Sequence, residues 1–343
     1  MKTFAHPAQE LHSPRFFLQR GQVRSNYEVP GRAASLAAGL SYMGLVPATP
    51  PAASRRALEA VHPAAFLDFL RDAHAEWMAL PNAGPEIVAN IHPTPEMMAH
   101  GAPVPTGLVA RVGWYTADAG CPIGPGTWEA SIGAAACALA AAGEAAAGRT
   151  AYALCRPPGH HTYAARAGGH CYLNNAAIAV EALRRAGAAR VAVLDIDSHH
   201  GNGTQGIFWE RPDVLTVSVH GDPSGYYPWF VGHAGERGGG AGLGFNLNLP
   251  LAQGSGDAPW LAAIEAGLAA IRDFGAEALV VSLGFDASKD EPLNFLSVTE
   301  DGFARAGALI SAARRPSAIV QEGGYNVDLL GTLLARFLTG WGD

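Results

Sequence analysis

The sequence predicts an α/β chain: one parallel, multi-stranded sheet with helices on both faces and a functional site at the carboxyl ends of the strands. Three observations carry this. Strand-like and helix-like segments alternate through most of the 343 residues, and such alternation predicts a parallel sheet covered on both sides. The apolar run Val191-Ala192-Val193-Leu194 reads as a fully buried strand. Polar, chemistry-bearing residues then follow the strand segments, where open parallel sheets place their sites.

In chain order, residues 150–155 read as a strand, 175–186 as a helix, and 191–197 and 214–220 as strands. Residues 258–274 read as a helix, 278–283 as a strand and 299–313 as a helix. A strand at 317–321 and a closing helix at 328–340 complete the alternation. Five of these strand ends carry polar motifs: Arg156-Pro157-Pro158-Gly159-His160-His161, Asp195 to Gly203, Ser218-Val219-His220-Gly221-Asp222, Gly284-Phe285-Asp286-Ala287 and Glu322-Gly323-Gly324-Tyr325. Residues 92–126, rich in Pro and Gly, read as a long loop, and loops of that length are often functional.

Composition narrows the function. The chain is 49% hydrophobic and 15% charged, enough to bury a large core, as one domain or two. A net charge of −7 without a basic run argues against nucleic acid as a partner. No apolar stretch is long enough to span a membrane and residues 1–21 lack a signal-like apolar segment, so a cytoplasmic protein is expected. Cys121, Cys137, Cys155 and Cys171 show no CxxC spacing and fit reduced thiols.

The stretch Asp195-Ile196-Asp197-Ser198-His199 places two carboxylates and an imidazole at every second residue. Along a strand such residues share a face, so they are expected to converge beyond the strand end. A mixed Asp/His cluster there suits a borderline divalent metal such as zinc. Asp197, His199 and Asp286 are the best ligand candidates, since two oxygens and one nitrogen leave the open position of a catalytic site. Taken alone, Asp286 would read as a turn or capping residue. The adjacent His160 and His161 suit a general base and a general acid. Asp195 and Asn202 are the natural acceptors to fix their tautomers, and the carboxylate should keep its histidine the more basic. Tyr325 follows two glycines and could donate a hydrogen bond to an oxyanion; alone it would read as a boundary aromatic. Gly169, His170 and Tyr227, in loops beside these motifs, are expected to wall a narrow channel. The Gly-rich run 235–244 lacks a phosphate-loop ending, and there is no Gly-x-Ser-x-Gly elbow.

These blocks resemble the histone deacetylase superfamily of the arginase–deacetylase fold. Arg156 to His161, Gly169-His170-Cys171-Tyr172-Leu173-Asn174-Asn175, Asp195 to Gln205, Ser218-Val219-His220, Gly284-Phe285-Asp286 and Gly323-Gly324-Tyr325 occur in the family's order. Glu322, Pro125-Gly126-Thr127-Trp128-Glu129-Ala130 and Glu28-Val29-Pro30-Gly31-Arg32 resemble the bacterial acetylpolyamine amidohydrolases. The resemblance implies one catalytic domain over residues 1–343 with a loop insertion at about 90–126. It implies Zn2+ on Asp197, His199 and Asp286, with Fe2+, Mn2+ or Co2+ as substitutes. His160 and His161 become the proton-transfer pair, Tyr325 the oxyanion donor, and Asp195 and Asn202 their partners. It also implies a structural K+ near Asp195, Asp197, His199 and Ser218, and a homodimer through the 90–126 loop. The expected reaction is removal of an acetyl or short acyl group from an amine. Acetylpolyamines lead as substrates, then other small amides and acyl-lysine in proteins. A manganese ureohydrolase or a non-catalytic acyl-amide sensor are the rivals. In the loop, residues 109–120 offer one acidic residue, Asp118, and also carry Arg111.

Overall fold

The alternating segments pair into one seven-stranded sheet in the computed structural model, which describes residues 1–342. The strands are β1 (Lys2–Phe4), β2 (Phe16–Gln19), β3 (Gln22–Ser25), β4 (Thr150–Ala153), β5 (Val191–Asp195), β6 (Val214–Gly221), β7 (Asn246–Leu251), β8 (Ala278–Leu283) and β9 (Ser317–Gln321). The sheet order is β1-β4-β9-β8-β5-β6-β7 with every pairing parallel, while β2 and β3 form a separate antiparallel hairpin. The hairpin and the edge strands β1 and β7 are additions to the elements read from the sequence.

Alternation along each strand decides which core a side chain joins. Val191, Val193, Val280 and Val320 pack in one core, which the helices Ala64–Met78, Thr127–Ala146 and Asn175–Arg185 cover. Ala192, Leu194, Val281 and Ile319 point into the other, under the helices Pro30–Tyr42, Asp257–Phe274, Glu300–Ser311 and Leu330–Trp341. Local signals set the helix ends. The Asn174 side chain accepts the N–H of Ala177 at 2.8 Å, and Thr299 caps Gly302 at 3.2 Å. Gly275 ends its helix in the left-handed region at φ 72°.

Two expectations need correction. The strand read as 191–197 ends at Asp195. Beyond it the chain turns, because Asp195 Oδ1 accepts the N–H of Asp197 at 3.1 Å and Asp197 Oδ1 accepts that of His199 at 2.9 Å. The every-second-residue spacing therefore reflects successive side-chain-to-backbone turns, not strand pleat. The stretch 92–126 is not a bare loop either. It holds the helices Pro95–Ala99 and Leu108–Tyr115, and Tyr115 packs on Phe69 with ring centroids 4.9 Å apart.

The N-terminal segment is tied to the rim by a buried ionic group. Glu28 accepts from Arg32 Nη1 at 2.7 Å and from Arg156 Nη2 at 2.9 Å, all three side chains being buried. Arg32 also donates to the carbonyls of Gly324 (2.5 Å) and Glu322 (2.6 Å). Arg156 donates to those of Gln9 and His12. Residues 9–32 are thereby fastened to the ends of β4 and β9. Removing one partner of a buried ion pair typically costs ~3–5 kcal/mol, because the remaining charge is left uncompensated. Glu28→Ala should lower the urea unfolding midpoint accordingly; an unchanged midpoint would show that the group adds no stability.

Candidate active site

The rim is a crowded set of buried polar groups, each delivered by a strand end. Asp197 and His199 follow β5, Asp286 follows β8, and Tyr325 follows β9. One oxygen from each carboxylate and one ring nitrogen of His199 lie within 4.8 Å of one another. The nitrogen is Nδ1, 3.2 Å from Asp197 Oδ1 and 3.0 Å from Asp286 Oδ2. Backbone donors orient the carboxylates: Gly323 N–H reaches Asp197 Oδ2 at 2.8 Å and Ser198 N–H reaches Asp286 Oδ1 at 2.8 Å. A Cβ on Gly323 would sit 2.6 Å from Asp197 Oδ2 and would also strike Asp286, so only glycine allows this approach.

The electrostatics fit a cation at this set. Burial and the charge of Asp197 push the Asp286 carboxyl above its ordinary value. Burial works against charge on His199, yet Asp286 and Asp197 lift it to about 9. Burial likewise raises Asp197, but His160 and His199 pull it well below the carboxylate range. A proton on His199 thus bridges two buried carboxylates. A divalent ion matches the same two-oxygen, one-nitrogen donor set.

His160 and His161 stand side by side with ring centroids 4.0 Å apart and have different partners. His160 Nδ1 lies 2.9 Å from Asp195 Oδ2, and His161 Nδ1 lies 2.6 Å from Asn202 Oδ1. Burial disfavours charge on both rings. Asp195 and Asp197 more than offset it at His160, which rises to about 10. At His161 burial is joined by repulsion from His160 and His199, and its pKa falls well below the ordinary histidine range. The structure thus sorts Asp195 and Asn202 between the two rings, a pairing the sequence leaves open.

The three channel candidates also meet here. A Cβ on Gly169 (φ 53°) would lie 2.8 Å from the Tyr227 hydroxyl and collide with the His161 ring. Tyr227 sets its ring edge-on to His161 at 4.9 Å, and His170 lies 5.8 Å from the Tyr325 ring. Ser218 pairs in register with Asp195, its hydroxyl 2.8 Å from His220 Nδ1.

Several residues have contacts at or near the rim that the sequence does not specify. Tyr226 stacks on His199 at 4.5 Å. Asp118 accepts from the Tyr227 hydroxyl at 2.7 Å and from the N–H groups of Gly120 (2.7 Å) and Gly169 (3.1 Å). Arg111 turns away to pair with Glu76. Glu322 accepts from the N–H groups of Gly159 (2.7 Å) and His160 (3.1 Å), which seats the histidine turn. The sequence marks Glu322 by its place directly before Gly323-Gly324, and the structure adds what it holds.

Known proteins share this architecture. The family model of the histone deacetylase domain matches residues 26–340. An acetylpolyamine amidohydrolase of Burkholderia pseudomallei is 46% identical, covering 100% of this chain and 99% of its own length. Acetylpolyamine amidohydrolase 1 of Pseudomonas aeruginosa is 42% identical, with 96% of each chain covered. A crystal structure of acetylpolyamine aminohydrolase from Burkholderia pseudomallei superposes with a TM-score of 0.95 at 46% identity, covering 100% of this chain and 98% of that one. The full-length agreement in sequence and fold, over a rim with this arrangement, means that the chain belongs to the histone deacetylase family, whose members are metal-dependent hydrolases of linear amide bonds.

Proposed function

We propose that this chain is a zinc-dependent amidohydrolase of the cytoplasm that removes an acetyl or short acyl group from amines, acetylpolyamines foremost. The observation that carries the chemistry is one buried rim holding a three-atom ligand set, two differently partnered histidines and Tyr325. Asp197, His199 and Asp286 would hold the ion and leave positions open for water and substrate. A divalent ion bound there supplies Lewis acidity, making water more acidic and polarising the amide carbonyl.

The side chains divide the remaining work. A carboxylate can only accept, so His160 Nδ1 donates to Asp195, and that ring is the one stabilised as a cation. His161 faces a neutral amide, stays neutral and keeps its Nε2 lone pair free. His161 accordingly takes the proton from the attacking water and returns it to the leaving amine nitrogen. His160 keeps positive charge beside the reacting centre. Tyr325 donates its phenol hydrogen to the carbonyl oxygen as negative charge builds there. Gly169, His170 and Tyr227 wall the path of a slender substrate.

Full-length similarity to proteins named acetylpolyamine amidohydrolases supports the substrate class. So does the ion pair of Arg111 with Glu76, which offsets the one cation set against a polyamine in residues 109–120. The same proposal includes a potassium ion near Asp195, Asp197, His199 and Ser218. The Asp195 and Asp197 carboxylates are already engaged by His160 and by backbone N–H groups, so backbone carbonyls and Ser218 Oγ would have to meet it. It also includes a homodimer through residues 90–126, where Ile91, Met97, Val104 and Val109 are exposed. Among the described residues no helix is long and apolar enough to cross a membrane, and all four cysteines are free and buried.

Three measurements test this. Asp286→Ala should lose its metal on dialysis by elemental analysis, whereas the parent retains one zinc per chain; two manganese ions per parent chain would refute the reading. Tyr325→Phe should keep the metal and lose roughly 10²–10³-fold in kcat, the usual cost of one oxyanion donor. Acetylputrescine and acetylspermidine should exceed an uncharged acylated amine about tenfold in kcat/KM, as expected for about 1.4 kcal/mol of charge recognition. Equal rates across that panel would remove the polyamine assignment while leaving the hydrolase intact.

A further inference from the structure

We propose that Glu291 is a positioning residue for Tyr325, holding the tyrosine backbone so that the phenol meets the reacting carbonyl. The proposal rests on the reading of Tyr325 as oxyanion donor. Glu291 is 5% exposed, and its two carboxylate oxygens take two consecutive backbone donors. Oε2 accepts the N–H of Tyr325 at 2.8 Å and Oε1 that of Asn326 at 3.1 Å. The neighbouring Asp290 carbonyl adds a hold on Asn326 Nδ2 at 2.8 Å.

The local chain needs such a hold. Gly323 and Gly324 precede the tyrosine, and Gly324 sits at φ 111°. Two glycines leave the ring free to swing unless the backbone on both sides is fixed. Upstream, Arg32 binds the carbonyls of Glu322 and Gly324, and its guanidinium lies 4.9 Å from the Tyr325 ring. Downstream, the N–H groups of Tyr325 and Asn326 go to Glu291. A cation therefore grips the carbonyls of the turn and the two oxygens of a carboxyl group grip its N–H groups. At Glu291 each donor has its own oxygen, and a glutamine would set its NH2 donor against one of the two N–H groups. A buried N–H left facing another donor drives the turn away from its place.

Glu291 lies on the loop that begins with Asp286. That loop is braced by Lys289 N–H on Val298 O at 3.0 Å and Asn294 N–H on Glu291 O at 3.2 Å. One short segment therefore carries a proposed metal ligand at its start and the backbone anchor of the phenol five residues on.

The test is a double-mutant cycle of Glu291→Gln and Tyr325→Phe. It reads kcat and KM on an acetylated amine, metal content, and amide hydrogen exchange over residues 323–328. Glu291→Gln should lower kcat roughly tenfold or more, hold KM within about twofold, keep the metal and speed exchange at Tyr325 and Asn326. In the Tyr325→Phe background the same change should cost less than about threefold, because the phenol it positions is already gone. A full multiplicative loss in that background, or exchange unchanged in Glu291→Gln, overturns the proposal. If Tyr325→Phe alone is fully active, the oxyanion reading fails and the exchange result by itself decides whether Glu291 holds the turn. Should Glu291→Gln not fold, Glu291→Asp takes its place: it keeps both oxygens but draws them back by one methylene, and the same expectations apply.

Discussion

A buried anion must be met by donors, and this requirement organises the rim of the sheet. Glu28, Asp195, Asp197, Asp286, Glu291 and Glu322 are all buried there. An unpaired carboxylate in such surroundings is costly enough to give up its charge. Here each has named partners. Glu28 has two guanidinium groups, Asp195 has an imidazole, and Glu291 and Glu322 each have two consecutive backbone N–H groups. Asp197 and Asp286 share one imidazole nitrogen and also accept backbone N–H groups, Asp197 from His199 and Gly323 and Asp286 from Ser198. The pair bridged by one imidazole is the pair suited to a metal, while Glu291 and Glu322 hold the turns around it.

The same accounting explains how the sequence relates to the structure. The strands β4, β5, β6, β8 and β9 and the motifs after them were legible because buried parallel strands are short apolar runs and their sites follow directly. The spacing of Asp195, Asp197 and His199 predicted convergence, though a turn brings it about. Asp195 itself faces His160, outside the ligand set. The hairpin β2–β3 was not legible, since Phe16–Gln19 and Gln22–Ser25 are mixed polar and apolar segments with one short turn. Nor was the joining of Arg156 to Glu28 and Arg32, because a charged residue in sequence gives no sign that its partner lies 128 residues away. Glu291 was not legible either, since the backbone N–H groups it meets leave no mark in the sequence.

Substrate recognition is the part least fixed by these constraints. Asp118, the acidic residue of residues 109–120, already receives the Tyr227 hydroxyl and two backbone N–H groups. It therefore ties the Tyr227 ring to the backbone at Gly120 and Gly169. His170 brings a ring nitrogen, Nδ1, that has no hydrogen-bond partner among the described residues, next to Tyr325. The surroundings of Tyr325 are thus more polar than a purely aromatic set.

The fastening of residues 9–32 onto the strand ends has a consequence for how the enzyme comes into being. The bond from Arg32 to Gly324 joins positions 292 residues apart, and that from Arg156 to His12 joins positions 144 apart. Contacts of such separation incur their loop-closure entropy before they return any stability, so chains that depend on them fold slowly. The turn bearing Tyr325 reaches its final shape only once an early part of the chain has met a late one. During synthesis, Arg32 leaves the ribosome long before Gly324 exists to receive it. A nascent chain that has not yet reached Gly324 therefore lacks the contact that holds the carbonyl side of this turn.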